Sequence, residues 1–214
     1  QTSGLKANLI EFFYFFGERL WIGTENRGIN YRLNDSIYPV DLGENFTARC
    51  MVMDKDNMLW VGTQARGVYV VDPLKEIIVR RIRESDGLLA NLINLIEVDQ
   101  MNNVYVGTNK GLNILDQNRD MLFTYNHRNG FAGIETNQNA VYAGPDNYLW
   151  FGTVDGLIRF DPNLEKKINL VPLTHITGLR VNLESREMRE DLRLRHNENN
   201  VILDYISISL TNPD

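Results

Sequence analysis

The chain has 214 residues, with 22 Lys and Arg against 28 Asp and Glu, a net charge of −6, and 43% hydrophobic residues. That composition excludes wholesale disorder, and the acidic balance gives no support to nucleic-acid binding, which needs a basic face to displace counterions. The one cysteine, Cys50, excludes an intrachain disulfide and a zinc site built of several cysteines, and no apolar run approaches the roughly 18 residues that cross a bilayer.

The first residues, Gln1 to Lys6, lack the basic start and apolar run of a signal peptide. An export signal or membrane anchor is therefore expected outside this chain. Leu9 to Phe16, a dense apolar stretch broken by Glu11 and bounded by Gly17, predicts a buried strand. Next comes Leu20-Trp21-Ile22-Gly23-Thr24, and this pattern recurs as Leu59 to Thr63, Val104 to Thr108 and Leu149 to Thr153. The four glycines are spaced 39, 45 and 45 residues apart. A second glycine follows each threonine (Gly28, Gly67, Gly111, Gly156), then a short apolar run that ends in Asp72, Asp116 or Asp161 in three of the four copies. Polar turns precede the motif, as Gly17-Glu18-Arg19, Asp54 to Asn57, Asp99 to Asn103 and Pro145-Asp146-Asn147. Looser strands are expected at Ile77 to Ile82 and Met121 to Tyr125. Ser3-Gly4-Leu5, Asp86-Gly87-Leu88 and Asn129-Gly130-Phe131 restart the unit.

Each repeat thus reads as four short strands joined by tight polar turns, with a period of about 40–45 residues, which is what a β-propeller blade needs. The two-residue period of a strand puts Trp and Gly on one face and Leu, Val and Thr on the other. Both faces of a blade pack against neighbours. Trp21, Trp60 and Trp150 are therefore read as packing residues, and each glycine as room for a large side chain opposite.

This unit resembles the two-component-regulator propeller repeat, found in the sensor regions of bacterial hybrid two-component systems, best known from gut bacteria that degrade complex glycans. The fullest match is Leu88 to Ile93 with Val104 to Asp116, and the resemblance extends over residues 4 to 162. Beyond Ile168 the spacing breaks. Ile176 to Val181, the charged stretch Glu184 to Arg195, and Asn200 to Leu210 with Asn212-Pro213 resemble the opening half of the Y_Y_Y-type β-sandwich that follows such propellers. The expected architecture is all-β: residues 1–170 as four propeller blades, and residues 171–214 as the N-terminal part of an immunoglobulin-like sandwich. The resemblance implies a propeller of seven blades, so this chain is expected to be a piece of a longer sensor.

Enzyme motifs are lacking: there is no Gly-x-Ser-x-Gly, His-Glu-x-x-His or phosphate-binding glycine loop. His127, His175 and His196 are scattered and read as surface or turn residues, and Cys50 as a small buried hydrophobe. Asp54-x-Asp56-Asn57 lacks the glycine and glutamate of a calcium loop and reads as a turn. Asn34-Asp35-Ser36 and Asn45-Phe46-Thr47 are formal sequons. No catalytic residue, metal site or cofactor is expected.

The candidate ligand residues are those at equivalent loop positions, because a propeller gathers them on one face. They are Asn26, Arg27, Gln64, Arg66, Asn109, Lys110 and Asp155, beside the inter-repeat residues Asn8, Asn91, Arg128, Asn129, Glu135 and Asn137 and the aromatics Phe131 and Tyr142. Amides read sugar hydroxyls, and Arg reads carboxylate or sulfate. The resemblance implies a periplasmic, glycan-sensing segment of a hybrid histidine kinase and response regulator. It also implies an oligosaccharide ligand, a homodimeric parent, and kinase and membrane-spanning parts outside this chain. Two other readings stay open. One is a propeller scaffold for protein–protein interaction. The other is a polysaccharide-acting enzyme, which would need convergent acids such as Glu135 and Asp155.

Overall fold

Why does the four-fold motif become four sheets? In each copy the residue before Gly-Thr and the residues flanking it alternate between the two faces of a strand, and the polar turns on either side reverse the chain. The computed structural model describes residues 5, 7–116, 118–126, 135–164, 173–189 and 192–208. The readings made on Ser3-Gly4, His127 to Phe131, Val171-Pro172 and Asn212-Pro213 lie outside these residues. The chain divides into two compact units, Gln1–Glu165 and Lys166–Asp214.

In the first unit, sheet one holds β1 (Ile10–Phe16), β2 (Arg19–Thr24), β3 (Ile29–Leu33) and β4 (Ser36–Pro39). Sheet two holds β5 (Ala48–Met53), β6 (Leu59–Thr63), β7 (Val68–Asp72) and β8 (Ile77–Ile82). Sheet three holds β9 (Ile93–Val98), β10 (Val104–Thr108), β11 (Gly111–Leu115) and β12 (Met121–Tyr125). Sheet four has three described strands, β13 (Thr136–Ala143), β14 (Leu149–Thr153) and β15 (Gly156–Phe160). Strand order follows the chain in every one of these antiparallel sheets. β1 packs on β5, β5 on β9, and β9 on β13, so the first strand of each sheet is the innermost. The short β4 is the fourth strand that the repeat implies, placed where the sequence gives no position for it, because Ser36-Ile37-Tyr38-Pro39 carries little apolar pattern.

Trp21, Trp60 and Tyr105 are fully buried between sheets, and each such side chain removed from water contributes about 1.5–3 kcal/mol. The motif glycine makes this possible: a Cβ on Gly62 would lie 2.3 Å from Cys50 Sγ and 2.6 Å from Ile93 Cγ2. Trp150 is only half-buried. The expectation of a buried β1 needs correcting. It is a strand, but Ile10, Phe13 and Phe15, brought to one face by a bulge between Ile10 and Phe12, are 44%, 60% and 73% exposed, since no described sheet covers that face. Its other face, with Phe12 and Tyr14, packs toward sheet two.

The acidic strand ends act as turn acceptors. Asp72 Oδ1 takes the backbone N–H groups of Leu74 and Lys75, and Asp116 Oδ1 those of Asn118 and Asp120. Asp54 does the same for Asp56 and Met58, so the Asp54–Asn57 segment is a turn held by its own carboxylate.

Among the described residues the second unit contains one antiparallel sheet in the order β17-β16-β18, from β16 (Leu173–Val181), β17 (Glu184–Arg186) and β18 (Val201–Ile208). Leu179 and Val181 are buried in it, and Arg180 pairs with Asp204 at 3.0 Å.

Candidate ligand site

The loops after the Gly-Thr motif share one construction. The threonine hydroxyl donates to the carbonyl of the following glycine, from Thr24 to Gly28 at 2.8 Å, Thr63 to Gly67 at 2.7 Å, Thr108 to Gly111 at 3.0 Å and Thr153 to Gly156 at 3.0 Å. These loops are then tied to the inter-repeat linkers. Gly28 N–H donates to Phe46 O, Gly67 N–H to Asn91 O, Gln64 N–H to Thr47 O and Val154 N–H to Glu135 O. Both loop sets therefore lie on the same face of the first unit, as the sequence predicts.

On that face, two adjoining hollows open at the junction of sheets one and two. One, of about 310 Å³, is lined by Asn26, Gln64, Arg66, Asn45 and Thr47 among others. The other, of about 490 Å³, is lined by Arg27, Asn30, Asp41, Glu44 and Asn45. Asn45 borders both. Their sizes fall in the range of small-molecule and sugar sites.

Of the seven sequence candidates, four meet here: Asn26, Arg27, Gln64 and Arg66. Their states differ. Arg66 is committed, because its guanidinium pairs with Glu44, which also accepts from Arg81 at 2.8 Å and from the Tyr69 hydroxyl at 3.0 Å. Asn26, in the left-handed region at φ 57°, is held by Thr47, whose hydroxyl accepts from Asn26 N–H at 3.0 Å. Arg27 is exposed and makes no ion pair with any described residue. Beside it, Asn30 is 3% exposed and its Nδ2 has no hydrogen-bond partner. A buried unpaired amide costs free energy, so the larger hollow carries two donors whose partner would be an acceptor or an anion. Asp41 Oδ1 accepts from Gly43 N–H at 2.9 Å, which fixes the linker that forms the outer wall.

The other three candidates stand apart from this cleft. Lys110 reaches Glu84 at 3.4 Å, Asn109 beside it in the same turn between β10 and β11 has a buried Oδ1 with no partner, and Asp155 is exposed in the turn between β14 and β15. Tyr142 also needs correction. It pairs with Trp150 near the end of β13 opposite Thr136, so register carries it away from the loop face. The ring nearest the cleft is Phe46, but it is 5% exposed and packed edge-on against Tyr69 at 5.0 Å. Asn91 and Asn137 serve structure, accepting from Glu84 N–H and donating to Thr153 O. His175 and His196 are exposed. Cys50 is 1% exposed, and burial pushes its thiol up to about 12. Sequence reasoning missed Asn30, Asp41 and Glu44. The signal for the last two was the polar insertion Asp41-Leu42-Gly43-Glu44 between the first two repeats.

Residues 41–65, which run from the linker at the outer wall of the cleft through β5 and β6, match the two component regulator propeller family. Solved structures place the repeat in context. The extracellular domain of a protein described as a hybrid two component system from B. thetaiotaomicron is 25% identical, with a TM-score of 0.63 over 76% of this chain and 24% of its own. A second structure of that same protein's extracellular domain, there described as a one component system, is 24% identical, with a TM-score of 0.65 over 74% of this chain and 23% of its own. This chain therefore spans about a quarter of those structures. The computationally designed Ika4 protein shares the fold at 17% identity and a TM-score of 0.56, over 75% of this chain and 95% of its own. A search of the curated proteins finds no match.

Proposed function

We propose that this chain is a ligand-sensing, non-catalytic segment of the extracytoplasmic, periplasmic region of a hybrid two-component sensor, and that the loop-face cleft takes an anionic, glycan-derived ligand. One observation carries the choice of ligand: Arg27, with no ion pair among the described residues, and the unpartnered Asn30 amide line one hollow as donors. A uronate carboxylate or a sulfate answers both, since charge-assisted hydrogen bonds to guanidinium are among the strongest available. Asn26, Asn45 and Gln64 would read neighbouring hydroxyls. The buried state of Phe46 withholds the aromatic platform on which a neutral sugar would stack.

On this reading the exposed apolar face of Ile10, Phe13 and Phe15 seats a further blade of a longer propeller, and the second unit begins a Y_Y_Y-type sandwich leading toward the membrane. Ligand binding would bias a dimeric receptor through different affinities for its two states. The repeat match and the likeness to extracellular domains of two-component systems support the sensor role.

Calorimetric titration with neutral, uronate-containing and sulfated oligosaccharides tests the reading. Arg27→Ala should weaken binding of an anionic oligosaccharide about tenfold or more, the value of a charge-assisted hydrogen bond. Lys110→Ala should leave it within about twofold, because an exposed lysine outside the site contributes little. Absence of binding by every anionic member of the panel would overturn the reading.

A further inference from the structure

Repeats allow one blade to be read against another. In sheet two, Trp60 Nε1 donates to Asp54 Oδ2 at 2.7 Å, and the Arg119 guanidinium donates to the same oxygen at 2.6 Å while lying 5.3 Å from the Trp60 ring centre. In sheet three the Tyr105 hydroxyl donates to Asp99 Oδ2 at 3.1 Å. In these two sheets a carboxylate at the turn between the first two strands is the partner of the motif aromatic.

Sheet one breaks this rule. Trp21 occupies the same position, two residues before the motif glycine, and is 1% exposed. The turn before it, Gly17-Glu18, is shorter and holds no aspartate. Trp21 Nε1 has no hydrogen-bond partner. The guanidinium is nonetheless supplied: Arg19 lies 5.9 Å from the Trp21 ring centre and 4.4 Å from that of Tyr31. Among the described residues it makes one hydrogen bond, a long one of 3.4 Å to Pro73 O, and no ion pair. At this same turn lies a hollow of about 480 Å³, walled by Phe16, Leu33, Met53, Pro73 and Leu74, with Arg19, Trp21 and Asn57 on its polar side and Glu18 at its exposed rim.

We propose that this hollow, at the turn end of the first unit between sheets one and two, binds a small carboxylate with an apolar body. The ligand's carboxylate takes the place that Asp54 fills beside Trp60. It accepts from Trp21 Nε1 and from the Arg19 guanidinium. Its hydrocarbon or aryl part lies against the apolar wall. The site is separate from the loop-face cleft, which lies at the opposite ends of the same strands, and it does not depend on a glycan ligand.

The test uses the 15N-labelled chain and phenylacetate, with phenylacetamide as the uncharged control. The three tryptophans give three indole N–H resonances, assigned by single Trp→Phe replacements. Phenylacetate should move the Trp21 resonance downfield and saturably, and leave that of Trp60, whose partner is internal, in place. Phenylacetamide should bind about tenfold or more weakly, and Arg19→Gln should weaken phenylacetate to the same degree, because each removes a charge-assisted hydrogen bond. A Trp21 resonance that does not move, whether Glu18 fills the seat or the hollow stays closed, overturns the proposal. So does an equal response to the acid and the amide.

Discussion

Replacing Asp54 by alanine tests how neighbouring sheets are held together. Its carboxylate is wholly buried and accepts four hydrogen bonds: from Asp56 and Met58 N–H at 2.8 and 2.9 Å, from Trp60 Nε1 at 2.7 Å, and from Arg119 at 2.6 Å. Arg119, on the turn between β11 and β12, is itself 13% exposed, so the bond joins sheets two and three in a sheltered setting. Breaking a buried pair from one side costs about 3–5 kcal/mol, and an orphaned indole N–H about 1–3 kcal/mol. Arg119 keeps Asp56 at 2.8 Å, which offsets part of the loss. The expected destabilisation is about 4 kcal/mol. Asp56 bonds the same arginine but is 64% exposed, so Asp56→Ala should cost under about 1 kcal/mol. Urea unfolding followed by tryptophan fluorescence measures both. An Asp54→Ala variant no less stable than Asp56→Ala would refute the reasoning.

Two further outcomes follow from burial. Burial raises the Glu97 carboxyl above its ordinary 4.5, against a smaller opposing effect of the Val98 N–H. The folded state then holds its proton more tightly than the unfolded state, so this group's contribution is fully present below pH 4.5 and is lost as pH rises through the raised value. Glu97→Gln should therefore be more stable than the parent at pH 7 and gain nothing at pH 4, as read from urea midpoints; equal gains at both pH values would contradict this. The Cys50 thiol, pushed from 9.0 to about 12, has about a thousandfold less thiolate at pH 8 than an ordinary cysteine. Iodoacetamide should label it in urea and leave it intact in the folded chain, and rapid labelling of the native protein would count against its burial.

The blades were legible because their signal is local. A five-residue motif repeated in four copies sets strand, turn and face at once, and the glycine opposite a large side chain reports packing directly. The face on which the loops gather was legible too, once the first strand of each repeat was taken as innermost. What escaped depended on distant partners. Arg66 looks free in sequence, yet Glu44, 22 residues away, holds it. The exposure of Phe13 and Phe15 could not be read from an apolar run, because it depends on whether another sheet lies alongside. Trp21 without a partner was foreshadowed by the short Gly17-Glu18 turn, but only the geometry at Trp60 gives that shortening a meaning. Tyr142 was misplaced because one strand, read without register, does not say which end of it faces the loops.

The most direct measurement is a map of backbone amide shifts as an anionic oligosaccharide is titrated into the 15N-labelled chain. The account predicts saturable shifts confined to residues 24–30, 40–47 and 63–67, around Arg27, Asn30 and Gln64. Shifts centred instead on the loops of Lys110 and Asp155, or none at saturating ligand, would contradict it.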